Sequence, residues 1–143
     1  LRSGAIARFS PIMEKVQEHA EKGGYVLGVC NGFQILCEAG LLPGALMHND
    51  SHKFICKNIL LKPVSKKAIM TKDLDDSRVY KIPIAHGEGR YYANEETIAK
   101  LEANDQVLFK YCDAEGNVTD KSNPNGAVNS IAGVCSENKQ CWD

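Results

Sequence analysis

With 143 residues, 17 basic and 18 acidic side chains and a net charge of −1, the chain is long enough for one buried core and one domain, 1–143, and carries no basic stripe of the kind that holds nucleic acid. It has no run of 18 apolar residues and no signal-peptide pattern, so no membrane partner is expected. Its six cysteines (30, 37, 56, 112, 135 and 141) include no C-x-x-C pair, so neither a metal site nor a disulfide framework is expected, and a reducing cytoplasm fits best.

In chain order, residues 1–8 read as a small-residue loop with two arginines. Ser10 is placed to cap a helix with Pro11 at its first position. Phe9, Ile12, Met13, Val16 and Ala20 form its apolar stripe, and Gly23-Gly24 end it. Residues 25–29 are apolar throughout and predict a buried strand. Phe33, Ile35, Leu36 and Ala39 recur at helical spacing up to Gly40, and residues 41–44 are a turn. His48 and His52 stand four apart, but the intervening Asn49-Asp50-Ser51 is turn chemistry, which predicts a solvated loop rather than a metal-binding helix. A strand lies within 54–64, carried by Ile55, Ile59, Leu60 and Leu61, and 65–77 is charged and reads as a loop or a weakly marked strand. Residues 79–85 alternate as a strand that Pro83 confines to an edge or interrupts. Residues 86–90 are loop, and 95–104 a short helix with Ile98 and Leu101 inward. Strands at 106–112 and 130–135 flank turns at 113–117 and 123–126, and another strand starts at Cys141-Trp142-Asp143. Helix, strand and helix followed by strands predict an α/β domain with a mixed sheet. A start without Met and a stop at a nascent strand read as a piece of a longer domain.

The chemistry gathers at Gly28-Val29-Cys30-Asn31-Gly32, between strand and helix. This is the nucleophile-elbow pattern with Cys in place of Ser. So sharp a turn holds the nucleophile in a sparsely populated conformation, at about 1–3 kcal/mol. Side chains two residues on either side would collide, so both positions favour Gly. The sulfur leaves the sheet edge at a helix N-terminus, where negative charge is favoured. The Asn31 amide is free to donate to an oxyanion. In such folds substrates bind at the carboxyl ends of strands, where Cys30 sits. The alternative is that Cys30 is a small buried hydrophobe. A second cluster is His86-Gly87-Glu88. A thiolate nucleophile needs a histidine within reach and a carboxylate to orient it, so Cys30, His86 and Glu88 are a candidate triad. Equally, His86 caps a strand end and Glu88 pairs with Arg90.

Several ordered stretches resemble one known family. They are residues 1–9 (LRSGAIARF), 28–36 (GVCNGFQIL), 39–45 (AGLLPGA), 85–90 (AHGEGR) and 123–126 (NPNG) followed by 131–134 (IAGV). Together they are similar to the glutaminase subunits of phosphoribosylformylglycinamidine synthase, among the class I glutamine amidotransferases. The resemblance implies a flavodoxin-like three-layer α/β domain, here partial. It implies a Cys-His-Glu triad of which only Cys30 is present, because the family's His and Glu come from a Pro-His-Pro-Glu segment that these residues do not contain. The family's Pro-Gly-Gly oxyanion loop is also absent from them. On the family pattern the Asn31 amide holds the oxyanion. Gln34, Gly87 and Glu88 line the glutamine site, and His86 is a neighbour rather than the base. The implied reaction is hydrolysis of the glutamine amide through a Cys30 thioester. The ammonia passes to a synthase subunit, with a small accessory subunit in the same complex. The chain itself needs no cofactor; ATP and Mg belong to the synthase, and no phosphate-binding Gly-x-x-x-x-Gly-Lys loop occurs here. Two other classes stay open: a catalytically incomplete, partner-binding remnant, and a hydrolase or chaperone on a similar cysteine-elbow scaffold.

Overall fold

A computed structural model describes residues 3–143. Leu1 and Arg2, which open the expected loop and the first family-like stretch, lie outside the described residues. From Ser3 the chain is helical rather than loop: α1 (Ser3–Ala7) buries Gly4. A Cβ at residue 4 would stand 2.7 Å from Gln34 Cγ, so glycine lets this short helix lie against the next structural layer. In α2 (Ile12–Glu21) the Ser10 carbonyl accepts the Met13 N–H at 2.9 Å, but no side chain caps the helix. Met13 and Ala20 are buried while Phe9 and Ile12 are exposed. Only part of the expected stripe therefore faces inward, and Phe9 instead lies under the Arg8 guanidinium at 4.5 Å.

The strand expected at 25–29 is short and covered on one face only. β1 (Val26–Leu27) pairs in parallel with β8 (Cys141–Trp142). Tyr25, Leu27 and Val29 are all more than half exposed, whereas Gly28 is buried. Alternate residues of a strand point to opposite faces, so the odd-numbered residues share one face, on which Tyr25 stacks on Trp142 with ring centroids 5.0 Å apart and Leu27 and Val29 line a cavity. A continuous apolar run predicts cover on both faces; here β8 pairs along one edge, and α3 (Asn31–Glu38), whose Gly32 and Leu36 lie against Gly28, covers one face.

α3 buries Phe33, Gln34 and Leu36 and ends before Gly40, whose φ of +77° suits glycine. Two three-residue strands, β2 (Ala45–Met47) and β5 (Arg90–Tyr92), were not expected; they pair antiparallel and are too short to carry a periodic signal. The remaining strands are β3 (Ile55–Pro63), β4 (Tyr80–His86), β6 (Val107–Cys112) and β7 (Ile131–Val134). They form an antiparallel sheet in the order β4-β3-β6-β7, with Pro83 on an edge strand as its missing N–H requires. α4 (Glu95–Ala103) turns Ile98 and Leu101 inward and starts at Asn94, whose side chain accepts the Thr97 N–H at 2.8 Å. The α/β class holds, but parallel and antiparallel pairings fall in separate sheets instead of one mixed sheet. The main core joins Phe33 and Leu36 of α3 to Leu46, Ile59, Leu61 and Tyr91. Phe33 and Tyr91 stack at 5.6 Å, a geometry that contributes roughly 0.5–1.5 kcal/mol beyond its buried area. This packing sets the N-terminus of α3 against the sheet. No helix among the described residues is long and apolar enough to cross a membrane.

Candidate active site

Cys30 stands exposed at the start of α3 with φ 57° and ψ −111°. Few non-glycine residues adopt this conformation, and the surrounding bonds hold it. Gly28 N–H donates to Trp142 O at 2.9 Å, Gly32 N–H to Val29 O at 2.9 Å, and Gln34 N–H to Cys30 O at 3.3 Å. The buried-hydrophobe alternative for Cys30 does not hold. The glycine argument holds at one position and not at the other. A Cβ at Gly28 would come within 2.7 Å of the Gly32 carbonyl and 2.6 Å of Leu36, whereas a Cβ at Gly32 would meet nothing within 4 Å. The elbow is closed by backbone approaching residue 28, so only that position is sterically barred from a side chain. The Asn31 N–H has no acceptor among the described residues, as expected of the first turn of a helix.

The sulfur opens onto a cavity of about 720 Å³ between the head of α3 and the sheet. Cys30, Asn31, Gln34, His86, Gly87 and Glu88 all line it, so the fold brings all six sequence candidates to one place. It does not join Cys30, His86 and Glu88 as the candidate triad required. No hydrogen bond among the described residues links Cys30 to His86 or Glu88. Glu88 accepts from Gln34 Nε2 at 2.9 Å and lies 3.4 Å from His48 Nε2. Arg90, its expected partner in the other reading, turns its Nε to the His48 carbonyl at 2.8 Å. The Gln34 amide is used at both ends, because its oxygen accepts from Gly4 N–H at 3.0 Å and Ser3 Oγ at 3.2 Å. Gln34 thus ties α1 to the Glu88 loop from a nearly fully buried position.

Two asparagines that the sequence places in turns are fully buried and grip the 86–89 loop. Asn49, expected in a solvated loop, donates to the carbonyls of His86 at 2.9 Å and Lys53 at 2.8 Å, and accepts from Gly89 N–H at 3.1 Å. Asn125 donates to Gly89 O at 2.8 Å and to Tyr111 Oη at 3.3 Å, with His86 Nε2 at 3.2 Å. Each such bond contributes about 0.5–1.5 kcal/mol net, and an unsatisfied buried partner costs about 1–3 kcal/mol. The Asn123-Pro124-Asn125-Gly126 stretch was the only sequence signal for Asn125. Burial holds His86 below the ordinary histidine range and pushes the Tyr111 phenol up to about 12. The site therefore offers an exposed thiol, a free backbone donor beside it, and a rigid loop whose histidine favours its neutral form.

Residues 3–140 match the model of the CobB/CobQ-like glutamine amidotransferase domain. The chain is 57% identical over 137 residues to phosphoribosylformylglycinamidine synthase subunit PurQ of Salinibacter ruber, covering 96% of this chain and 58% of that protein. It is 58% identical over 135 residues to PurQ of Thermosynechococcus vestitus, covering 94% of this chain and 56% of that one. In the structure of PurLQS from Thermotoga maritima, one chain superposes with a TM-score of 0.81 at 36% identity, covering 99% of this chain and 59% of that chain. The chain thus spans a little over half the length of these relatives.

Proposed function

Since the chain belongs to the CobB/CobQ-like glutamine amidotransferase family, we propose that it is the glutaminase part of phosphoribosylformylglycinamidine synthase, acting in purine biosynthesis. The observation that carries this is Cys30, held at positive φ over a cavity lined by Gln34 and the His86–Gly89 loop. A thiolate at Cys30 attacks the carboxamide carbon of L-glutamine. The S–C bond forms, the tetrahedral oxyanion takes the Asn31 N–H, and the C–N bond breaks as the nitrogen takes up a proton and leaves as ammonia. Water then cleaves the glutamyl thioester, returning the thiol and releasing glutamate. The proton acceptor for Cys30 is the family's His–Glu pair from its Pro-His-Pro-Glu segment, with His86 as a pocket neighbour. Gln34 acts by bracing Glu88, and Gly87 and Glu88 line the substrate's end of the cavity. Ammonia passes to an ATP- and Mg-dependent synthase subunit, joined by a small accessory subunit, in the cytoplasm. On this reading ATP and Mg are bound by the synthase subunit, and residues 1–143 form a single partial domain.

The test is to quench the intact protein with acid during glutamine turnover and map its cysteines by mass spectrometry. A glutamyl adduct on Cys30, lost together with glutamate release in Cys30→Ser, is expected. Glutamate release that survives Cys30→Ser would overturn the proposal. Hydrolysis of other acyl substrates but not of glutamine would favour a hydrolase on a similar elbow.

A further inference from the structure

We infer that Asn125 is a positioning residue of this site: its side chain fixes His86 as the neutral tautomer protonated on Nδ1 and clamps the loop 87–89 against the cavity. The part of this that concerns glutamine rests on the glutaminase reading above; the tautomer does not.

The orientation of the Asn125 amide follows from its neighbours. Ala127 N–H donates to Oδ1 at 3.1 Å, and the Gly89 carbonyl lies 2.8 Å from Nδ2. A flipped amide would set an NH₂ against an N–H and a carbonyl against a carbonyl, with both donors and acceptors buried. The NH₂ therefore faces His86, whose Nε2 stands 3.2 Å away and must be the acceptor. Its proton is then on Nδ1. One Asn125 hydrogen goes to Gly89 O, and His86 Nε2 and Tyr111 Oη share the other. With its lone pair engaged by Asn125, the imidazole is not placed to take a proton from Cys30.

The loop has little freedom. A Cβ at Gly89 would run into the His86 ring, so the two residues are packed face to face. From the other side Asn49 binds Gly89 N–H and the His86 carbonyl, and its own N–H donates to Gly87 O at 2.9 Å. Two fully buried amides, from segments far apart in the chain, thus hold the two glycines that line the substrate cavity. Position, not chemistry, is what Asn125 contributes.

The experiment reads the imidazole nitrogens of His86 by ¹⁵N NMR in the intact protein at about pH 8, where a histidine of ordinary pKa is neutral. His86→Gln serves to assign the signals. The native protein should show the Nδ1–H tautomer. Asn125→Asp keeps an acceptor for Ala127 but replaces the donor with a carboxylate. It should switch His86 to Nε2–H, and raise KM for glutamine about tenfold with kcat held within about threefold. A native Nε2–H tautomer would overturn the inference even if the Asp variant does not fold. A folded Asp variant with native KM, or with an unchanged tautomer, would overturn it as well. Native protein that turns over no glutamine would remove the functional reading and the loop's part in it; the tautomer spectrum, which needs no substrate, tells that failure apart.

Discussion

Six thiols share one chain, and their surroundings sort them. Cys112, Cys135 and Cys141 are buried, and burial pushes each above the ordinary thiol range. Cys30 and Cys56 are both exposed, so exposure alone does not single out the proposed nucleophile. Cys56 sits within a strand, however, and only Cys30 faces the positive end of a helix. Limited iodoacetamide treatment near neutral pH should label Cys30 first, Cys56 and the half-buried Cys37 more slowly and the three buried thiols last, as read by peptide mass mapping. Labelling of Cys56 ahead of Cys30 would count against an activated elbow. The contrast between Cys30 and His86 is sharper in turnover. Cys30→Ala should leave no measurable glutamine hydrolysis. His86→Ala should cost on the order of tenfold to a hundredfold, because its ring partners Asn125 rather than the sulfur. Equal losses would return His86 to the role of base, since members of a catalytic unit each cost nearly the whole effect.

At the scale of the element, the elbow depends on its two glycines unequally. In Gly28→Ala the new methyl meets backbone at Gly32 and the buried Leu36 side chain, neither of which can withdraw without moving α3. Overpacking of this kind costs roughly 1–3 kcal/mol. Gly32→Ala places a methyl in open space within the first turn of α3, where alanine is favoured over glycine by about 0.5–1 kcal/mol. Thermal melts of the two variants should therefore move in opposite directions, Gly28→Ala down and Gly32→Ala level or up. A fall of equal size in both would mean that the tight turn rejects side chains at either glycine. β1 shows the same dependence on context. Its apolar composition suits a covered strand, yet Tyr25, Leu27 and Val29 stay exposed, Leu27 and Val29 along the open cavity, because α3 packs on the opposite face.

At the scale of the whole molecule, the aromatic core sets an alkaline limit. Burial raises Tyr91 far above its ordinary value and Tyr111 to about 12. In the unfolded chain both ionise near 10. The folded state thus keeps protons that the unfolded state releases, so the stability they contribute is complete below about pH 10 and is lost as pH rises through the folded values. For Tyr111 the loss across pH 10 to 12 is on the order of 2–3 kcal/mol. Urea midpoints should fall through that window and fall less steeply in Tyr111→Phe. A flat profile would place the phenol in water. What the sequence determined by itself was local: the glycine–cysteine elbow, the helices at Ile12–Glu21, Asn31–Glu38 and Glu95–Ala103, and the longer strands, each encoded by residues within a few positions of one another. Only the tertiary structure decided that Gln34 braces Glu88, that β2 and β5 pair, that Asn49 and Asn125 are buried clamps, and that His86 answers to an amide and not to the thiol. Those pairings join residues 36 to 54 positions apart, as in Asn125–Gly89 and Gln34–Glu88. A turn asparagine and a buried asparagine have the same side chain, and the difference between them is the set of donors and acceptors that folding brings to it.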